Sequence, residues 1–202
     1  MAGPNWNERY AGADFLFGEK PNVFLAASVH HLKPGGQVLA VADGDGRNGV
    51  WLAEQGFDVL SADSSSVAQE KARAFAARRN FSLRFELADL QAWPFPENAF
   101  DAVVGIFIQF AGPDWREQLF ANMKRSLKPG GVLLLTGYRP EQIDYGTGGP
   151  RDVGHLYTEE FLRKVFGDFA ILQLDSHDME LHEGSGHDGM SALIDLVARK
   201  PA

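Results

Sequence analysis

Asp43-Gly44-Asp45-Gly46-Arg47-Asn48-Gly49 follows directly on five apolar residues, and Asp63 closes the next apolar run. Carboxylates and glycines at this spacing suit three kinds of site. A calcium loop would use Asp43, Asp45 and Glu54 at its first, third and twelfth positions. Arg47 and Asn48 then stand where a ligand and the turn glycine belong, and a strand replaces the leading helix. A dinucleotide fingerprint fits better. Gly44, Gly46 and Gly49 satisfy G-x-G-x-x-G, and Asp63 lies where an acid accepts the ribose hydroxyls. Asp45 would, however, crowd a pyrophosphate.

The third kind of site holds a nucleoside without phosphates. S-adenosylmethionine carries a sulfonium and an ammonium group, which an acidic loop suits better than it suits phosphate. Gly44 and Gly46 would let the backbone pass close to the cofactor. Asp63 would hold the ribose. Ala88-Asp89-Leu90 follows the third strand, where the Asp89 carboxylate can accept from the adenine amino group and the Leu90 amide can donate to the ring.

These residues, with several others, resemble the class I S-adenosylmethionine-dependent methyltransferases. The subgroup around tellurite-resistance and thiopurine methyltransferases is nearest in look. The resemblance runs through Trp6-Asn7-Glu8-Arg9-Tyr10, Phe17-Gly18-Glu19-Lys20-Pro21-Asn22, the glycine loop, Asp63-Ser64, Ala88-Asp89-Leu90, Tyr145-Gly146-Thr147-Gly148-Gly149-Pro150 and Leu156-Tyr157-Thr158. It implies cofactor contacts at Ala42, Asp43, Gly44, Gly46, Asn48, Asp63, Ser64, Asp89, Leu90 and Ile106. It also implies a seven-stranded sheet of order 3-2-1-4-5-7-6 with the last strand antiparallel. The family commonly has an acid at the place of Ala40 and a glycine at that of Ala42, so Asp43 is expected to supply the missing charge. Thiols, heterocyclic sulfur and oxyanions of tellurium or selenium are the acceptors it suggests.

On the acceptor side, His187 is the candidate base, and Tyr10 is a candidate to fold over the cofactor from an N-terminal lid. Gln109 follows the fourth strand. Arg139 and Tyr145 lie in the loop after the fifth, where active-site residues concentrate. These three are the candidate substrate-binding residues. His177, His182 and His187, spaced by five among acids, raise a metal cluster as an alternative, but their spacing fits neither one strand face nor adjacent helical turns. No metal is expected. Two other readings stay open: a nicotinamide-dependent oxidoreductase, and a non-catalytic domain that keeps the cofactor fold as a sensor or scaffold.

The elements that must position these groups follow from periodicity. Helices are expected at 21–32, 48–55, 67–79, 114–127 and 159–166, with Ser64-Ser65-Ser66, Asp114 and Thr158 offering caps. Strands are expected at 37–42, 57–62, 81–87, 100–108, 132–136, 169–174 and 190–199, with loops at 138–154 and 177–189. The alternation predicts an α/β fold with a Rossmann-like, mostly parallel sheet and helices on both faces. The last two strands lack a helix between them and should pair antiparallel. Leu-Lys-Pro-Gly-Gly occurs twice, at 32–36 and 127–131, as a helix-to-strand turn.

The whole chain of 202 residues is expected to be one domain, with residues 1–32 as lid and first helix. Net charge is 19 minus 27, or −8, which argues against a nucleic-acid partner. A small-molecule substrate is expected, with oligomeric state left open. There is no cysteine, hence no disulfide and no thiolate ligand. No apolar run approaches the roughly 18 residues of a membrane span. The first ten residues lack a signal-peptide core, which makes the cytoplasm the default location.

Overall fold

Aliphatic runs between glycine and proline turns form seven strands in the computed structural model, which describes residues 5–12 and 15–202. The strands are β1 (Gln37–Val41), β2 (Asp58–Asp63), β3 (Arg84–Leu87), β4 (Phe100–Ile106), β5 (Leu127–Tyr138), β6 (Ala170–Glu183) and β7 (His187–Arg199). They make one sheet in the order β3-β2-β1-β4-β5-β7-β6. The pairs among β1 to β5 are parallel, and β7 runs antiparallel to both β5 and β6. The expected order is thus observed. Residues 1–4, 13 and 14 of the expected lid lie outside the described residues.

The helices are α1 (Trp6–Ala11), α2 (Val23–Ser28), α3 (Arg47–Glu54), α4 (Ser66–Arg78), α5 (Arg116–Ser126), α6 (Gln142–Tyr145) and α7 (Glu159–Val165). Alternating side chains of each strand feed two cores. Leu39, Val103, Leu133 and Ile194 pack with Leu119, Phe120 and Met123 of α5 and Leu162 of α7. Val38, Ala40, Val104 and Leu134 pack with Phe24 and Leu25 of α2 and Leu52 of α3. Both faces of the central strands are therefore buried, as near-continuous apolar runs require.

Several element bounds differ from the periodic reading. The helix expected at 21–32 divides into α2 and a 3-10 turn over Val29–His31. Asp114 does not cap α5, which starts at Arg116 with Trp115 before it and no side-chain cap. Ser65 and Thr158 do cap α4 and α7, accepting from Ala68 and Phe161 amides at 3.1 Å. The largest difference is at 177–189, expected as loop. There β6 and β7 continue as a hairpin past the end of β5, paired as far as Glu183 and His187.

The register aligns the carboxyl ends that matter. Val41 pairs with Ala62 and Gly105, Asp63 with Leu87, and Ile106 with Thr136. Order reverses between β1 and β4, and ligands of open α/β sheets bind in the crevice beyond such a point.

Candidate active site

The crevice is a cavity of about 460 Å³ above β1, β2, β4 and β5. Its floor is the turn from β1 into α3. Gly46 precedes α3 in a left-handed conformation (φ 87°) and offers no side-chain cap. Asp43 supplies one from a distance. Its carboxylate accepts from the Gly49 amide at 3.0 Å and from the Ser61 hydroxyl at 2.7 Å, tying the α3 N-terminus to β2. Ser61 sits opposite Ala40 in the register. Asp43 therefore anchors the loop, which meets the need left by Ala40 in a different way from the charge expected of it. A Cβ at Gly49 would lie 2.2 Å from Asp43 Oδ2, so this brace demands glycine.

Asp63 ends β2 beneath the cavity. Its Oδ2 accepts from the Gly44 amide and its Oδ1 from the Ser65 amide, each at 2.8 Å. A carboxylate offers about four lone-pair sites, so capacity remains for a ribose hydroxyl. Asp45 turns the other way and accepts from the Leu16 amide at 3.2 Å, which docks the N-terminal segment.

That segment covers the floor. Tyr10 of α1 is 5% exposed, and its hydroxyl lies 2.2 Å from where a Gly44 Cβ would stand. Ser65 donates to Asn7 at 2.7 Å, and Lys71 of α4 donates to the Tyr10 carbonyl. Further along, the Asn22 amide donates to Asn48 at 2.9 Å. The hairpin tip closes the opposite side. Glu183 accepts from Arg47 at 2.7 Å and from the Asn22 side chain at 3.0 Å, with Arg47 and Glu183 5% and 7% exposed. Arg47 also donates to the Phe17 carbonyl at 3.0 Å. One buried ion pair thus joins α3, the N-terminal segment and the hairpin.

The electrostatics divide along the same line. Burial raises Asp43 to about 7 and Asp45 to about 6, and raises Asp63 against the pull of the Ser65, Gly44 and Ser64 amides. Tyr10 is pushed upward by burial and by the three carboxylates. For Glu183, burial works upward, but the His187 imidazole and the Arg47 guanidinium outweigh it and hold the carboxyl low. Burial lowers His187 despite Glu183, so the imidazole is neutral.

The expected residues fall into three groups. Ala42, Asp43, Asn48, Asp63, Ser64, Leu90, Ile106, Gln109, Tyr10 and His187 all line the cavity. Gly44, Gly46 and Asp89 do not. Gly46 is bare because its Cβ would meet Ala72 of α4 at 2.7 Å, and Gly44 is bare for Tyr10, so neither glycine yields to a cofactor as expected. Asp89 is exposed and accepts from the Gln91 amide at 3.1 Å, whereas its neighbour Leu90 turns inward. Arg139 and Tyr145 are brought to Asp178, outside the cavity. Both are spent there on the hairpin's outer face. Gln109 lines the cavity, yet its amide bonds the Tyr138 backbone at both ends, at 2.8 and 2.6 Å, and so serves as a clamp.

Phe110, which follows the fourth strand beside Gln109, lines the wall of the cavity. Periodicity missed the rest of that wall: Phe17, Phe107, Tyr138 and His155. Phe107 holds φ 54° just past β4, a conformation costly for a bulky residue and found where a site requires it. Ala42 likewise holds φ 52° just past β1, which explains why a glycine is expected there. The three histidines of the metal alternative diverge. His177 pairs with Asp195, His182 with Asp188, and His187 faces the cavity. Among the described residues no group of three metal-ligating side chains gathers.

The floor fits S-adenosylmethionine by its donor chemistry: an open carboxylate at Asp63, a further acid behind the loop, and Leu90 and Ile106 as apolar sides for a base. Known proteins agree. Residues 38–131 match the model of a family described as a methyltransferase domain. The chain is 26% identical to hemagglutinin 1 of Eikenella corrodens over 82% of its own length and 55% of that protein. It is 32% identical to the demethylmenaquinone methyltransferase of Renibacterium salmoninarum over 65% of its own length and 51% of that one. It superposes on the crystal structure of TehB from Haemophilus influenzae with a TM-score of 0.72 at 22% identity, covering 88% of this chain and 61% of that one. The chain spans about half the length of these curated relatives. Residues 38–131 are thus similar to a methyltransferase domain, and the fold is shared with TehB. No helix among the described residues is long and apolar enough to cross a membrane.

Proposed function

We propose that this chain transfers methyl groups from S-adenosylmethionine to a small-molecule acceptor, working as one domain in the cytoplasm. One observation carries the reading. The buried carboxylates of Asp43, Asp45 and Asp63 gather under the half of the cavity where a nucleoside would lie. Of the cations beside them, Arg47 is paired with Glu183, and Lys71 donates to the Tyr10 carbonyl. A cationic cofactor is attracted to such a floor, and a pyrophosphate is repelled by it. That weighs against the nicotinamide alternative.

Bound there, the cofactor supplies a methyl group activated on a sulfonium. Asp63 would hold the ribose through its remaining lone-pair capacity. Leu90 and Ile106, which line the same half of the cavity, would receive the adenine. Asp43 and Gly49 fix the loop so that these groups are aligned before the ligand arrives. Tyr10 and the N-terminal segment cover the floor and exclude water. Alignment and water exclusion are most of what such a displacement requires of a protein.

The sequence motifs favour the subgroup around tellurite-resistance and thiopurine methyltransferases. Its acceptors would be a thiol, a heterocyclic sulfur or an oxyanion of tellurium or selenium. The ring-lined wall favours an uncharged acceptor over an oxyanion. Thermal unfolding with added ligand tests the cofactor reading. S-adenosylmethionine and S-adenosylhomocysteine should each raise the melting temperature, by the equivalent of about 2.7 kcal/mol at a hundredfold excess over Kd. A rise with NAD and none with either would overturn it.

A further inference from the structure

The half of the cavity away from the carboxylates is walled by rings. Phe107 stacks on Tyr138 with centroids 4.7 Å apart. The His187 ring meets Phe107 at 4.3 Å and Phe17 at 4.5 Å. One polar atom in this wall is left open. The Tyr138 hydroxyl makes no well-formed hydrogen bond although the residue is 1% exposed; Ser191 adjoins it, and the Ser191 hydroxyl donates to the Gly189 carbonyl at 3.1 Å. His187 Nδ1 faces Glu183 Oε2 at 3.8 Å, which holds the imidazole by that edge. A buried polar group is normally hydrogen-bonded, so the Tyr138 hydroxyl asks for a ligand.

Tyr138, Gly148 and His187 line the cavity together. A Cβ at Gly148 would stand 2.9 Å from the Tyr138 hydroxyl, 3.1 Å from the Gly186 carbonyl and 3.4 Å from His187 Cδ2, so glycine lets these groups sit this close. Cδ2 adjoins Nε2, so the Nε2 side of the ring lies on this wall. Among the charged groups nearby, Arg47 and Glu183 are committed to each other, and Arg9 lies over the face of Trp6 at the exposed rim, 4.8 Å from its ring centre. The buried part of the wall is lined by rings, and the charge of Arg9 stays at the solvent edge.

We propose that the methyl acceptor is an uncharged, flat aromatic molecule bearing a ring hydroxyl, its ring held among Phe17, Phe107 and Tyr138 and its hydroxyl between Tyr138 Oη and His187. The inference rests on the cofactor reading above. Tyr138 donates to the acceptor oxygen and orients it. The hydroxyl proton passes to His187 Nε2 as an oxygen lone pair forms the bond to the methyl carbon. The carbon–sulfur bond breaks with its electron pair returning to sulfur, and the positive charge of the sulfonium reappears on the imidazolium. Glu183, facing Nδ1, is the positioning residue that steadies that charge. A methyl ether is released.

The test is calorimetric. 2-Naphthol, selenite and mercaptoethanol are titrated separately into protein saturated with S-adenosylhomocysteine, and the first titration is repeated with Tyr138→Phe and His187→Gln. Naphthol alone should bind. Tyr138→Phe should bind it roughly tenfold more weakly, the loss of one hydrogen bond, with a melting temperature no lower than that of the parent. His187→Gln should still bind S-adenosylhomocysteine yet no longer methylate naphthol when given S-adenosylmethionine. Failure of naphthol to bind the saturated protein overturns the acceptor class. So does Tyr138→Phe with a lowered melting temperature and unchanged naphthol affinity. Failure of S-adenosylhomocysteine itself to bind overturns the cofactor reading, and the inference falls with it.

Discussion

The floor and the wall of the cavity are built on opposite principles. The floor is made of carboxylates and bare backbone on β1, β2 and the start of α3, and every acid there has a hydrogen-bonded task. The wall is made of rings from the ends of β4 and β5, the hairpin tip and the N-terminal segment, with the Tyr138 hydroxyl left open. A satisfied, charged floor suits one fixed cationic cofactor. An apolar wall with an open hydrogen-bonding group suits a second, uncharged ligand. The difference assigns the two substrates of a transfer reaction to two sides of one space.

The contact between the halves offers the largest effect. Arg47→Met leaves Glu183 buried without its cation, and removing one partner of a buried pair typically costs about 3–5 kcal/mol. Urea unfolding should register that loss. A change within about 0.5 kcal/mol, the size of an ordinary surface substitution, would mean that the floor and hairpin are not joined through this pair.

Within the floor, Asp63→Ala should weaken S-adenosylhomocysteine binding roughly ten- to hundredfold, as expected for hydrogen bonds to a charged group. Acceptor-side binding of 2-naphthol in the saturated protein should change far less. Equal losses on both sides would erase the division.

Protonation sharpens it further. Burial raises Asp43 to about 7 and Asp45 to about 6, and raises Asp63 too. A carboxyl raised in the folded state favours folding most below its unfolded pKa, and that contribution is lost as pH climbs through the raised value. The free protein should therefore lose stability between about pH 4 and pH 7 on this account. S-adenosylmethionine, a cation, should restore it, so its stabilising shift should grow over the same interval. A shift that is flat with pH would separate these carboxylates from the cofactor.

The smallest effect comes from Ala42, held at φ 52° beside the loop. Ala42→Gly relieves a conformation that costs an L-residue about 1 kcal/mol. A modest gain in melting temperature with unchanged naphthol binding is expected. A loss would show that the Ala42 methyl packs against something more valuable than the strain it causes.

The floor was legible in the sequence because its parts are near one another and governed by local rules. Gly44, Gly46 and Asp63 fall within one strand–turn–helix–strand unit, whose periodicity and turn chemistry are local. Even there, which neighbour each glycine serves was not legible, because Tyr10 and Ala72 arrive from other elements. The wall was illegible for two reasons. Arg47 and Glu183 meet across 136 positions, a separation that no motif spans. The hairpin at 177–189 runs past the sheet, so much of both its faces meets solvent and shows no apolar alternation; its glycines then read as loop. Tyr138 read as the start of a loop and proves to end β5, and Phe107 read as part of an apolar strand, since its positive φ leaves no mark in the sequence. Arg139 and Tyr145 were placed by their loop alone, and Asp178 draws both to the outside.

The central claim is that a cationic nucleoside cofactor sits on Asp63. Calorimetric titration of S-adenosylhomocysteine into the parent protein and into Asp63→Ala, with NAD in parallel, tests it most directly. Micromolar binding by the parent, clear weakening in the variant and no heat from NAD are the predicted result. Binding of NAD in place of S-adenosylhomocysteine, or S-adenosylhomocysteine affinity untouched by Asp63→Ala, would contradict it.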